Sequence, residues 1–130
     1  MVLTVFHGTR RSTAILQGGF TPSPSGEFGP GMYLTDNEHT AAFYALRVAR
    51  GDEPPTVLVT RVRLDKPFIV DKVDWIRMTE RRTPRTVQRA LKRKGYDGLV
   101  GIAINGYERQ VIVWDPAQID DAATRVHAVL

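Results

Sequence analysis

Between Gly29 and Arg50 the chain has room for one local structure, a short strand that turns at once into a helix. Gly29-Pro30-Gly31 forbids regular structure, and Met32, Tyr33 and Leu34 follow as an apolar, β-prone run. Thr35 with Glu38 three positions on has the form of a capping box: the hydroxyl takes a first-turn N–H and the carboxylate reaches back. Asp36 adds negative charge where the helix dipole favours it, Arg47 and Arg50 lie near the other end, and Gly51 supplies a stop. Ala41, Tyr44, Ala45 and Val48 fall at i, i+3, i+4 and i+7, which places Tyr44 on the expected buried stripe. Tyr33 on a strand and Tyr44 on the adjoining helix, 11 positions later, supply two aromatic faces and hence a slot for a flat ring. Plain core packing would use the same two residues.

A chain of 130 residues supports one two-layer core, so a single domain over 1–130 is expected. It has no cysteine, which excludes disulfides and thiolate metal sites. His7, His39 and His127 are too widely spaced for a local metal motif, so no metal is expected. The opening Met1–His7 has no basic segment and is too short for a signal core, and no run reaches transmembrane length. The expectation is a cytoplasmic protein with no membrane partner, or an effector delivered into a host cell.

Charge is unevenly spread. Arg77, Arg81, Arg82, Arg85, Arg89, Lys92, Arg93 and Lys94 face Glu80 alone, so the rest of a chain of net charge +4 is itself acidic. Such a segment attracts polyanions, either an acidic protein or a nucleic acid, or else forms a solvated helix face. It lacks the interleaved aromatics of a single-strand binder.

Strands are expected at Val2 to Phe6, Thr56 to Leu64, Pro67 to Val70, Leu99 to Ile104 and Tyr107 to Trp114, the last two joined by the hairpin signal Asn105-Gly106. Ser12 caps a brief helix stopped by Gly18-Gly19. Val73 to Thr79 suits a helical turn, and Thr83-Pro84 opens a second helix with the stripe Val87, Ala90 and Leu91, ended by Gly95. Residues from Gln118 onward fit an edge strand or a short helix. Thr21 to Gly31 is a Pro/Ser/Gly loop, long for so small a domain and so a candidate lid. Strands outnumber helices without β-α-β alternation, which argues an α+β fold with mainly antiparallel sheets.

Phe6-His7-Gly8-Thr9, Gly31-Met32-Tyr33-Leu34-Thr35, Tyr96-Asp97-Gly98 and Gln110 to Pro116 occur in that order across nearly the whole chain. In this it resembles the ADP-ribosyltransferases of the diphtheria-toxin and poly(ADP-ribose)-polymerase class, and among them the small phage and bacterial toxin-like members. Their signature is a His, a Tyr and usually a Glu on three successive strands. The resemblance implies a split antiparallel β-sandwich with flanking short helices, and NAD as co-substrate. It also implies transfer of ADP-ribose to a macromolecular acceptor docked on the segment Arg77 to Lys94, and leaves room for an antitoxin partner. His7 would hold a ribose hydroxyl, Gly8 the nicotinamide carboxamide with help from Thr9, and Tyr33 and Tyr44 would sandwich the ring. The loop from Thr21 to Pro30 would cover the dinucleotide.

This sequence departs from the family at the third position, where Gln110 stands in place of the usual Glu. A glutamine accepts a hydrogen bond but brings no charge to oppose an oxocarbenium. Glu108, two residues earlier on the same strand face, is the other candidate. Two functions follow: a transferase slowed by Gln110, or a catalytically degenerate relative that binds NAD or ADP-ribose as an interaction module.

Overall fold

The computed structural model describes residues 1–48, 50–120 and 123–128, with 124–128 given by their backbone alone. Its elements are β1 (Val2–Thr9), α1 (Ser12–Gly18), β2 (Met32–Thr35), α2 (Glu38–Arg47), β3 (Thr56–Arg63), β4 (Pro67–Asp71) and α3 (Lys72–Met78). They continue with α4 (Pro84–Arg93), β5 (Gly98–Ile102), β6 (Arg109–Val113), a 3-10 turn (Pro116–Gln118) and β7 (Thr124–Ala128). The C-terminal stretch that the sequence left open therefore contains a strand, β7.

The strands form one sheet in the order β4-β5-β6-β2-β1-β3-β7. Every neighbouring pair is antiparallel except β4 with β5, whose connection carries α3 and α4. The α+β class and the mainly antiparallel sheet are thus as the pattern argued.

Each face of the sheet has its own core, as the period of two along each strand requires. On one face Leu99, Ile112 and Val70 pack with Phe28, Trp75, Val87 and Leu91, so α3 and α4 are its cover, and Tyr33 joins them. On the other face lie Val5, Met32, Leu34, Val62, Leu64, Val100, Val111 and Val113, with Ile119 and Phe20 against them. No described helix contributes a residue to this second core. The sheet curls instead. Leu64, just past the end of β3, comes so close to Gly98 on β5 that a Cβ there would sit 2.6 Å from Leu64 Cδ2. Three strands separate β3 from β5 in the sheet order, so this contact needs a strong bend, and small glycine permits it.

The pairing is narrowest between β1 and β2. Those strands share a single paired position, Phe6 opposite Thr35, whereas β1 and β3 pair from Val2 opposite Arg63 to Thr9 opposite Thr56.

Tyr96-Asp97-Gly98 has a structural reason of its own. The Asp97 carboxylate accepts from the N–H of Asp65 at 2.6 Å and of Lys66 at 3.0 Å, fixing the β3–β4 turn, while Tyr96 packs edge-on against Phe68. Helix starts are capped differently from the sequence reading in two places. The cap of α2 is Asn37, whose Oδ1 accepts from Thr40 N at 3.0 Å, and Thr35 Oγ1 accepts from Asn37 N, so the Thr35–Glu38 capping box does not form. Ser12 lies inside α1 rather than capping it; the Glu53 carboxylate, 40 residues on, accepts from Thr13 N at 3.2 Å. A local motif was assumed where a distant carboxylate does the capping. No described helix is long and apolar enough to cross a membrane.

Candidate active site

The three strands carrying His7, Tyr33 and Gln110 are immediate neighbours, β1, β2 and β6, in the middle of the sheet. Their register puts Phe6, Thr35 and Gln110 in one row, with Tyr33 opposite Ile112. The alternation along the strands nevertheless separates their side chains: His7 is in step with Val5 and packs on Phe20, on the face of the second core, while Tyr33 and Gln110 belong to the opposite face.

His7 stands where β1 and β2 part. The Tyr33 carbonyl accepts a hydrogen bond from His7 Nδ1 at 2.9 Å, and a carbonyl can only accept, so Nδ1 carries the proton. Burial, only partly opposed by this bond, holds the imidazole below its ordinary pKa and hence neutral at pH 7. The remaining nitrogen, Nε2, therefore has a free lone pair and accepts hydrogen bonds. Phe20 packs edge-on to the ring with centroids 5.3 Å apart.

Gly8 is packed against α2. Any Cβ there would collide with the Ala41 carbonyl and come within 2.9 Å of the Ala45 nitrogen. The backbone of α2 thus rests directly on the strand, and Ala41 and Ala45 are its buried residues. Tyr44 is not buried with them: it is 58% exposed, beside exposed Phe43 and Leu46. The physical reason is the closeness of the contact. Two alanines on a glycine leave a narrow stripe, and a large side chain one turn along is pushed to its edge. Thr9 Oγ1 accepts from Arg11 N at 2.9 Å and closes the end of β1.

Tyr33 is held firmly. Its hydroxyl accepts from Phe28 N at 2.8 Å and donates to the Gly29 carbonyl at 2.6 Å. Burial chiefly raises its pKa, to about 12; the Phe28 N–H works against the rise and nearby Glu27 adds to it. Gly26 lies so close to the ring that a Cβ would overlap it. The loop between α1 and β2 is consequently pinned over Tyr33. Gln88 Nε2 donates to the Phe28 and Pro30 carbonyls, Trp75 Nε1 to Glu27 O at 3.0 Å, and Arg85 to Pro24 O at 3.1 Å. Lys72 pairs with Glu27 at 2.9 Å. Gln88 was missed in the sequence, although it falls next to Val87 on the buried arc of α4, where an amide signals a partner.

Gln110 shares the Tyr33 face of the sheet, and its amide makes no hydrogen bond with a described residue. The pairing of β5 and β6 continues one step past β6 through Ala103 N to Glu108 O, 2.9 Å, so Glu108 keeps the Gln110 face at the mouth of the hairpin. The turn is wider than a two-residue hairpin: Asn105 Oδ1 accepts from Tyr107 N and Glu108 N, and Gly106 takes φ +77°. Asp36 locks the start of β6, accepting from Arg109 N and Nε at 2.8 Å each.

Two open cavities lie elsewhere. One, about 530 Å³, is bounded by Val70, Asp74, Arg77 and Ile102; the other lies along β3 and the 3-10 turn; His7, Tyr33 and Tyr44 line neither. No protein-family model matches the chain, and no curated protein matches it.

Proposed function

We propose that this chain is an NAD-dependent mono-ADP-ribosyltransferase of the diphtheria-toxin and poly(ADP-ribose)-polymerase class, with the character of a toxin or effector. The observation that carries the reading is the His7 imidazole, fixed by the Tyr33 carbonyl on the strand between its own and that of Gln110. An imidazole so fixed presents Nε2 as an acceptor for a ribose hydroxyl.

The reaction breaks the bond between nicotinamide and the ribose C1′. Nicotinamide leaves with the bonding pair, C1′ becomes an oxocarbenium, and an acceptor nucleophile attacks it and loses its proton. The protein contributes where its groups favour the charge-separated state over the ground state. Tyr33, held by two hydrogen bonds, gives a rigid ring against which a flat base can pack, worth about 0.5–1.5 kcal/mol beyond burial. Tyr44 provides the second face from α2. Gln110 accepts from the 2′-hydroxyl, and Glu108 is the carboxylate nearest along the same strand face. Nicotinamide release from NAD tests this, with Gln110→Glu and Glu108→Ala beside the wild type. Release above buffer, raised by Gln110→Glu, supports transfer. Release that Glu108→Ala alone abolishes moves the carboxylate role to Glu108, and no release in any variant removes the enzymatic reading.

The uncharged Gln110 favours a second reading, a relative that binds NAD or ADP-ribose without turnover. Saturable NAD binding without nicotinamide release, in wild type and Gln110→Glu alike, selects it.

A further inference from the structure

The basic segment is folded into a single cationic surface. In α4, Val87, Gln88 and Leu91 face inward. At the 3.6 residues per turn of a helix, Lys92, Arg85, Arg89 and Arg93 fall within a sector of roughly 100° on the outward side, and all four are exposed. Exposed Arg81 and Arg82 extend it through the preceding turn. Very little of this charge is neutralised within the molecule. Arg77 meets Asp74 at 3.8 Å, while Arg81, Arg82, Arg89 and Arg93 have no ion pair or hydrogen bond with a described residue.

We propose that this face binds double-helical nucleic acid through its phosphates, without reading sequence. The side chains are mostly arginine, whose planar fork matches phosphate oxygens. An acidic protein fits less well. Protein interfaces need buried apolar or aromatic anchors at their centre, and none of the large apolar side chains exposed on this molecule falls between Thr79 and Lys94. A single strand also fits less well, because its affinity comes largely from stacking on exposed aromatics. Here Trp75 is buried and Trp114 is half-buried, with Lys92 Nζ 4.9 Å from its ring centroid. A duplex offers about one phosphate charge per 1.7 Å of axis and asks only for cations in a row.

The surface is independent of the NAD reading, since the assay contains no NAD. Fluorescence anisotropy of a mixed-sequence 20-bp duplex, titrated between about 50 and 200 mM NaCl, reads both affinity and its salt slope. With five or six phosphates engaged, the log–log slope is expected near −5. Arg82→Gln/Arg89→Gln/Arg93→Gln removes three unpartnered charges and should make the slope shallower by about 3, weakening binding roughly 10²-fold at 0.1 M salt. Arg61→Gln/Arg63→Gln, on β3, should leave the slope near the wild-type value. Unchanged circular dichroism in both variants separates lost charge from lost fold. Absence of saturable binding at 50 mM salt overturns the proposal, as does an unaltered triple variant. Equal affinity for polyglutamate transfers the surface to acidic proteins, and tighter binding of the matching single strand removes the duplex.

Discussion

Tyr33 and Tyr44 are held in opposite ways. Tyr33 has its hydroxyl engaged on both sides and carries the loop before it; Tyr44 stands 58% exposed on a helix whose grip on the sheet is made by alanines. One region is fixed through polar bonds to backbone, the other through the near absence of side chain. Adjoining elements thus carry one rigid ring and one accessible ring, and the proposed slot for a flat base calls on both.

The strongest way to break this comparison is at Gly8. Gly8→Ala drives a methyl into the Ala41 carbonyl, and backbone cannot step aside as a flexible side chain does. A loss of more than about 3 kcal/mol in urea unfolding, or failure to fold, is expected. On the Tyr33 side the largest effect is Gln88→Ala. It strips hydrogen bonds from the Phe28 and Pro30 carbonyls beneath the loop, at a cost of about 2–4 kcal/mol. Limited proteolysis should then cut within residues 21–31 well before the global transition.

Much of this was legible in the sequence because the signals were local. Gly-Pro-Gly before Met32, Thr83-Pro84 before α4, and alternation along β3 each report on their own few residues. What escaped is what depends on distant partners. Glu53 caps a helix 40 residues earlier, and Asp36 just past the end of β2 pins Arg109 on the neighbouring β6, 73 positions on. Tyr44 was misjudged for a related reason. The stripe at i, i+3, i+4, i+7 was right in period, but how near α2 lies to the sheet is set by Gly8, 36 positions back. Periodicity gives the direction of a face and says nothing about its width. The loop looked like a lid because Pro, Ser and Gly dominate it, yet its tethers come from Trp75, Arg85 and Gln88.

Removing only the hydroxyl sharpens the contrast. Tyr33→Phe keeps the ring but leaves the Phe28 N–H and the Gly29 carbonyl without it, for an expected loss of about 1–2 kcal/mol. The pH dependence identifies the cause. The folded phenol keeps its proton to about 12 while the unfolded one releases it near 10.0, so between these values the unfolded state holds fewer protons and stability falls as pH rises. Wild type should therefore lose its advantage over Tyr33→Phe across that window and retain it fully below it, as urea midpoints at pH 8, 10 and 11 would show.

Tyr44→Ala is expected to have the smallest effect on stability, within about 0.5 kcal/mol, because the ring is largely in solvent and the helix contact lies at Ala41 and Ala45. On the proposed reading the same change removes one wall of the slot, so nicotinamide release or NAD affinity should drop while the unfolding curve stays in place. Tyr33→Phe should do the reverse, lowering stability while leaving a ring for the base. If Tyr44→Ala leaves both the ligand measurement and the unfolding curve untouched, α2 supplies no rim and the slot closes on Tyr33 alone. A matching loss of stability would instead mean that the exposed ring braces the helix through its neighbours Phe43 and Arg47, whose guanidinium already lies 4.1 Å from the Phe43 centroid.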